Sequence, residues 1–489
     1  MQYLLGIDIG TSSCKTALFG EDGVLIASAS QAYPVRYPHP GWAEQNPEDW
    51  WNAVVQAIRE TLEKSGVKPS CVAGIGIDGQ SWSAIPVDRE GSVLAPTPIW
   101  TDSRAQEECG DMRAAVPGEE WYRVSGNPIS PSYTLPKVLW MKKHMPQVYE
   151  KTAYILQSNS YIIFRLTGKI TQDKSQGYGW ACFDMKTGAW NLDLLKAIGI
   201  NKNVLPDLFE CHEIVGNVDQ EAARATGLPC GIPVVAGGLD AACGSLGAGV
   251  LHNGQTQEQG GQAGGMSICL DECKPHPALI ISRHVVKDKW LLQGGTTGGA
   301  GTVKWLREEL FPDKAFSTLT ELAGCAEAGS EGLLFLPYMA GERSPIWNSN
   351  AKGVFFGLDY SKNASHMIRS VMEGVAFSLR HNLETAEEVN AAAGILRSVG
   401  GSTNSDVWMQ IKADVTGHSL EVPNGDHATT FGAAILAGVG TGVFSSFDEA
   451  VGKIKVTRRY EPRTEQHKKY DQCYAVYRKL SDTLLPLMK

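Results

Sequence analysis

Apolar and polar residues trade places along this chain with two periods. At the start the period is that of strands. Tyr3-Leu4-Leu5-Gly6-Ile7-Asp8-Ile9 is apolar and β-prone, and Gly10-Thr11-Ser12-Ser13 follows as a polar bend. Lys15-Thr16-Ala17-Leu18-Phe19 predicts a second strand, and Glu21-Asp22-Gly23 turns the chain into a third over Val24 to Ala29. The period then becomes helical. Trp50, Trp51, Val54, Val55, Ile58 and Leu62 recur on one helix face, which predicts a helix from Pro47 to about Lys64 with Asn46 as N-cap. Val72 to Ile77 predicts a strand running into Asp78-Gly79-Gln80.

The second half echoes the first. Gln257 to Leu270 sets a Gly-rich bend between two short strands. Arg397-Ser398-Val399 predicts a strand ending in Gly400-Gly401-Ser402, with a helix from about Asp406 to Val415 behind it. The two Gly-rich bends lie about 250 residues apart, half the chain. The expected architecture is therefore two similar α/β lobes divided near Gly244 to Gly254, covering residues 1–247 and 248–489.

Composition supports this. A chain of 489 residues, 43% of them apolar, has material for more than one core, and roughly 150 residues per domain predicts two to four domains. Its 53 glycines have no collagen period and read as turns and ligand loops. A net charge of −9 argues against nucleic acid or an anionic membrane as partner, though a local site for a phosphorylated small molecule stays compatible with it. Met1 to Gly10 lacks the basic start of a targeting segment. The charge-free run Ala428 to Phe447 holds four glycines and several Ser/Thr, a poor membrane span. The eleven cysteines are scattered and odd in number, which fits a reduced cytoplasm better than a disulfide framework or a zinc site.

Four glycine-rich elements are candidate phosphate cradles. Gly10, Thr11 and Ser12 offer amides and hydroxyls, Lys15 a charge, and Asp8 a carboxylate that can hold a metal directly or through water; an ordinary hairpin with an Asp bend explains the same residues. Gly261-Gln262 sits in the second such bend. Gly298-Gly299 opens a predicted helix, where backbone amides bind anions. Gly400-Gly401 with Asn404 is the fourth. None is a Walker A loop or a dinucleotide fingerprint. Asp240 follows Val235-Ala236-Gly237-Gly238-Leu239 at the end of a buried strand, where it reads either as a general base or as an N-cap. Gln80, Ser81, Trp82, Trp100, Asp102 and Arg104 combine aromatic faces with fork-like polar groups, the chemistry that binds a sugar or polyol, although most of the nine tryptophans before residue 200 are expected in the core. The eleven histidines show no metal spacing, and no GxSxG elbow is present.

Taken in order, these pieces resemble the FGGY carbohydrate kinases, most closely their xylulokinase branch. The resemblance runs from Gly6 to about Gly442. It is carried by Asp8-Ile9-Gly10-Thr11-Ser12, Trp100-Thr101-Asp102-Ser103-Arg104, Ser132 to Met141 (SYTLPKVLWM), Val235 to Asp240, Pro337 to Pro345 (PYMAGERSP), and Gly353-Val354-Phe355-Phe356-Gly357-Leu358 with His366 and Glu373 behind it. Gly400-Gly401-Ser402 resembles the adenosine motif. The resemblance implies an actin-like, duplicated ribonuclease-H fold, two lobes closing over Mg-ATP and a sugar. It implies Asp240 as base, Asp8 as the Mg²⁺-associated acid, Thr11 and Ser12 at the phosphates and Gly400-Gly401 at the adenine. The expected partner is a small-molecule sugar or polyol, most simply a ketose, and a homodimer is admitted.

The chain departs from the family pattern at three places. A Gln-Met-His segment becomes Gln80-Ser81-Trp82, the Asn after the catalytic Asp becomes Ala241, and a Gly-Thr-Ser-Gly bend becomes Gly261-Gln262-Ala263-Gly264. The first two point away from D-xylulose itself, and the third removes a hydroxyl from the phosphate site. Two rival functions remain at this stage: an ATP-driven switch of the actin/heat-shock type, and a catalytically weak sugar-binding regulator.

Overall fold

The computed structural model describes residues 1–425 and 427–488 and places them around two seven-stranded sheets. The first sheet is built from β1 (Tyr3–Ile9), β2 (Ser13–Gly20), β3 (Leu25–Ala32), β4 (Val72–Gly79), β5 (Ile214–Asn217) and β6 (Pro233–Val235), in the order β5-β6-β4-β1-β2-β3, with Gly238–Leu239 added beside β4. The second is built from β7 (Thr256–Gly260), β8 (Gly264–Leu270), β9 (Ile280–Arg283), β10 (Trp290–Thr296), β11 (Leu396–Val399), β12 (Leu420–Pro423) and β13 (Val456–Tyr460), in the order β9-β10-β8-β7-β11-β12-β13.

The two sheets repeat one plan. β1, β2 and β3 form an antiparallel meander, as do β7, β8 and β10. β4 lies parallel to β1, and β11 parallel to β7. A further parallel strand follows in each sheet, β6 or β12, and each is closed by an antiparallel edge, β5 or β13. The duplication expected from the two glycine bends is thus present at six strand positions, while β9 and Gly238–Leu239 each belong to one sheet only. β3 runs Leu25–Ala32, one residue later at its start and three later at its end than the apolar pattern predicts, because its pairing with β2 continues past the apolar run to Ser13↔Ala32.

Helix α1 (Pro47–Ser65) illustrates why local sequence suffices for some elements. Pro47 stands where no N–H is needed, and the Asn46 side chain accepts from the Glu48 amide at 3.2 Å. Gly66 stops the helix in the left-handed region at φ 64°. Its inner face, Trp50, Val54, Ala57 and Ile58, is fully buried against the first sheet, and truncating Trp50 to Ala would cost about 3–5 kcal/mol.

The long segment between β4 and β5 carries α2 (Thr134–His144), and α3 (Asp240–Gly247) follows the first sheet. In the second half α4 (Ala300–Leu310) follows β10, α5 (Asp406–Thr416) follows β11 through a 3₁₀ turn at Gly401–Asn404, and α6 (Ala428–Gly440) follows β12. Helix α6 accounts for the charge-free run near the end of the chain. It belongs to the second half in sequence, yet it packs on β1, β4 and α3. The contact is backbone against backbone: a Cβ on Gly6 would lie 1.9 Å from the Thr430 carbonyl oxygen, on Gly76 1.8 Å from that of Ala433, and on Gly432 1.9 Å from that of Cys243. The residues are apolar because they lie between protein surfaces. Among the described residues no helix is long and apolar enough to cross a membrane.

Candidate active site

Two cavities open between the sheets and share part of their walls. The larger, about 610 Å³, is lined by Asp8, Gly10, Lys15, Gly261, Gly400, Gly401, Asn404 and Thr429. The smaller, about 250 Å³, is lined by Ser81, Trp82, Trp100, Tyr178, Gln293 and Arg343. Asp240, Ala241 and Gln259 line both.

The chain delivers Asp240 to this junction by a strained approach. Gly237 has φ 68°, and a Cβ there would sit 2.0 Å from the Ile77 carbonyl oxygen, so only glycine lets the strand end press this closely on β4. The Leu239 amide donates to Ser175 Oγ at 2.8 Å, and Ser175 Oγ donates to the buried Asp173 carboxylate at 2.5 Å. Asp240 is then the first residue of α3. Its Oδ1 accepts only from the next amide, Ala241, at 2.6 Å, so it does not serve as the N-cap that the sequence also allowed. Burial, then the charge of Asp8, lift its carboxyl to about 7.

Three carboxyl groups gather here because of strand register. Asp8 on β1 pairs across to Asp78 on β4 and to Lys15 on β2, and Gly238, two residues before Asp240, pairs with the same Asp78. Burial raises Asp8, while Lys15 and the neighbouring Asp78 and Thr429 hold it down. Asp78 is pushed well above the usual carboxylate range by complete burial and by the charges of Asp8 and Asp240. Neither of its oxygens has a hydrogen-bond partner among the described residues. Asp8 Oδ2 also accepts from Thr429 Oγ1 on α6 at 3.3 Å, a contact between residues of the two halves.

The smaller cavity is walled by aromatic rings. Trp82 packs on Tyr133 and Tyr178 at centroid distances of 4.7 and 5.6 Å. It holds φ at 60°, a left-handed conformation that costs a non-glycine residue about 1–3 kcal/mol. A buried lysine secures it: Lys137 Nζ on α2 donates to the carbonyls of Trp82 at 3.0 Å and Ile99 at 2.7 Å, which anchors the chain at Trp82 and just before Trp100. Burial, only partly offset by Asp102, brings this ammonium down to about 7. Trp100 Nε1 donates to Thr11 Oγ1 at 2.8 Å, Gln80 Nε2 to Gln45 Oε1 at 2.8 Å and Gln45 Nε2 to the Thr11 carbonyl at 2.8 Å. The wall of one cavity is therefore stitched to the glycine bend of the other.

The larger cavity is walled mostly by backbone. The bend at Gly260-Gly261 abuts Gly400, whose φ is 94° and whose Cβ would lie 2.9 Å from the Gly260 carbonyl carbon. Below it the buried pair Lys412–Glu258 at 2.6 Å, with Lys412 also donating to Ser402 Oγ at 2.9 Å, locks β7, the 3₁₀ turn and α5 together. Asn404 completes this wall.

Several residues singled out from sequence stand elsewhere. Asp102 is fully buried, and the Arg104 side chain is 3% exposed. The two form a forked pair at 2.8–3.1 Å, Arg104 also holds Glu44 at 2.7 Å, and its guanidinium lies 3.7 Å over the Trp42 ring. They brace the Trp100 loop and line neither of the two cavities. Gln80 is likewise buried and committed to Gln45. The Gly298-Gly299 helix start is not a free anion site: the Ala300 and Gly301 amides of α4 already donate to the carbonyls of Gly261 and Gln262, at 2.7 and 3.1 Å, and neither glycine lines a cavity that meets Asp240. Gln262 itself is exposed at the tip of its bend, and Thr11 and Ser12 flank the larger cavity without lining it. Conversely, Tyr178, Gln259, Gln293 and Thr429 went unnoticed in the sequence, since none belongs to a motif with a chemical signature. Lys137 and Arg343 lay inside matched motifs but had no assigned role.

The family model for the FGGY carbohydrate kinases, N-terminal domain, matches residues 3–247, and that for the C-terminal domain matches residues 272–441. The chain is 32% identical to a xylulose kinase of Bacillus subtilis (strain 168) over 98% of this chain and 97% of that one. It is 29% identical to a gluconokinase of the same organism, covering 99% and 96%. The crystal structure of xylulose kinase from Rhodospirillum rubrum superposes with a TM-score of 0.92 at 29% identity over 100% of both chains. The repeated sheets are thus the two lobes of the actin-like fold, the activity is ATP-dependent phosphorylation of a sugar, and neither the switch nor the regulator is favoured. The chain belongs to the FGGY family of carbohydrate kinases.

Proposed function

We propose that the smaller cavity binds an open-chain sugar, the larger binds ATP, and Asp240 is the general base between them. One observation carries this reading: of the carboxylates in the cleft, Asp240 alone lines both cavities. A carboxyl near 7 is suited to take a proton from an alcohol as that oxygen attacks the γ-phosphorus. Gly10, Gly261, Gly400 and Gly401 let the nucleotide approach the backbone, Lys15 adds positive charge, and closure of the lobes excludes water.

The residues fit Mg²⁺ arriving with the nucleotide. Asp8 offers one buried carboxylate to the larger cavity, and among the described residues no group of three or more His, Cys, Asp or Glu side chains forms a dedicated metal cage. Asp8 would hold the ion, which when bound neutralises charge on the transferring phosphoryl group. Asp78 and Thr429 orient Asp8. The eleven cysteines, none in a disulfide, support a reducing cytoplasm.

The relatives' names supply two acceptors, the neutral ketose xylulose and the sugar acid gluconate. Both are extended polyols ending in a primary alcohol. Ser81 and Trp82, in place of the Met-His of xylulokinases, support a sugar other than D-xylulose. Asp240→Asn should lower sugar-dependent ADP release by about 10²–10⁴-fold while ATP still binds; turnover close to wild type would remove Asp240 from this role.

A further inference from the structure

Three residues line both cavities: Asp240, Ala241 and Gln259. Asp240 is assigned above, and the Ala241 methyl has no polar atom. Among the described residues Gln259 is therefore the one side chain at the junction that brings N–H donors. Other donors stand to one side of it: Lys15 and Asn404 line the larger cavity alone, Tyr178, Gln293 and Arg343 the smaller alone. The bend that follows Gln259 supplies no side-chain donor in its place. Gln262 is exposed and lines neither cavity, and Ala263 has no polar side-chain atom.

Gln259 is held where it stands. It lies on β7, paired with Gly265 of β8 on one side and with Val399 of β11 on the other, so its backbone is fixed from both edges. Gly265 has no side chain to crowd the carboxamide; a Cβ there would lie 3.8 Å from Gln259 Oε1. Gln257, two residues earlier, faces the same side of the sheet and also lines the larger cavity. Gln257 Oε1 accepts from Gln259 Nε2 at 3.2 Å and from Ser245 Oγ at 3.0 Å. Ser245 stands on α3, the helix that begins at Asp240, so the base and the carboxamide belong to one hydrogen-bonded frame. Gln259 Nε2 carries two N–H groups, and the bond to Gln257 uses one of them. The second has no acceptor among the described residues.

We propose that the free N–H of Gln259 donates to the phosphoryl group as that group crosses from the larger cavity to the smaller. The inference rests on the kinase reading above. In the crossing the alcohol oxygen forms the new O–P bond, the bond from the γ-phosphorus to the β–γ bridging oxygen breaks, ADP leaves, and the alcohol proton passes to Asp240. The peripheral phosphoryl oxygens stay negatively charged throughout, and at the junction they meet a wall that already holds the Asp240 carboxyl. An N–H fixed there beforehand stabilises that charge with no rearrangement at the moment of reaction. Because Gln259 stands at the junction and not deep in either cavity, it meets the group in transit, and its contribution falls on kcat with little on either KM.

The test is steady-state kinetics on the full chain with Mg-ATP and the best acceptor from a panel of five- and six-carbon ketoses, alditols and sugar acids, reading ADP release. Gln259→Met keeps the length of the side chain and removes the donor. Its kcat should fall about 100-fold while both KM values stay within about threefold of wild type. Gln259→Glu keeps the shape but offers acceptors only, and its kcat should fall at least as far. Gln259→Ala gives the same reading should the longer side chain fail to pack. Calorimetry of ATP on Asp240→Asn protein should return a Kd that the added Gln259→Met change moves by less than about threefold. The assignment is overturned, with the kinase reading left standing, by a kcat within about tenfold of wild type, by a loss that appears in KM or in the ATP Kd instead, or by full activity in Gln259→Glu. Undiminished turnover by Asp240→Asn would instead break the kinase reading.

Discussion

The two cavities that meet at Asp240 are made of different materials. The larger cavity, the proposed nucleotide side, is backbone: glycine bends at Gly10, Gly261 and Gly400, each at the end of a strand in the duplicated plan. The smaller cavity, the proposed sugar side, is chiefly side chain: Trp82, Trp100, Tyr178, Gln293 and Arg343, most of them from segments with no counterpart in the other lobe. A phosphate chain presents the same oxygens whatever the enzyme, so amides and small residues suffice, and one strand plan used twice supplies them. A particular sugar must be told from its isomers, which takes unique shapes and paired polar groups held in place by a second layer such as Lys137 and the Asp102–Arg104 fork.

The junction itself should give the largest effect. With Asp240 near 7, kcat/KM should fall tenfold per unit as the pH drops below that value, about 100-fold by pH 5, and a flat profile would remove the ionised carboxylate from the mechanism. The stability sign is opposite. Between the unfolded value of 3.8 and about 7 the folded protein holds a proton that the unfolded chain releases, so this group lowers stability as the pH climbs through that window. Asp240→Asn should therefore raise Tm at pH 8 and leave it unchanged at pH 3.

Gly400→Ala comes next. It places a side chain at φ 94°, against Gly260, a strain of about 1–3 kcal/mol. KM for ATP should rise about 10- to 100-fold with the sugar KM unmoved; equal rises in both would show that the two sides are not separately built. Lys137→Met tests the other side. It leaves two buried carbonyls unpartnered, about 1–3 kcal/mol, and should raise the sugar KM about tenfold while sparing ATP. The smallest effect is expected at Gln262→Ala. This exposed side chain lines neither cavity, so KM for ATP should stay within about twofold, although the family's bend carries a hydroxyl there.

Much of this molecule is legible without coordinates. The meander at Tyr3 to Ala32, helix α1 with Asn46, Pro47 and Gly66, and the strand-glycine junctions at Gly79, Gly260 and Gly400 follow from short-range pattern, because turns, caps and periodicity act within a few residues. So did Asp240 as candidate base, since a carboxylate after Gly-Gly at a strand end is a local signal. The fate of Asp102 and Arg104 was not legible. A fork that can grip a sugar can equally grip its neighbour, and burial between Trp42 and Trp140 made that choice. Likewise the amides after Gly298-Gly299 are an anion site only if no carbonyl reaches them, and those of Gly261 and Gln262 do.

By itself, then, the order of residues determined the elements, the doubled plan and which groups can do phosphoryl-transfer chemistry, because those depend on neighbours along the chain. Tertiary structure alone decided which groups face the cleft. Strand register put Asp8 beside Asp78, α6 crossed from the second half to lie on Gly6 and Gly76, and Arg343 was brought to the wall of the smaller cavity. Each depends on contacts between residues far apart in sequence, and on what burial does to a charge once they meet.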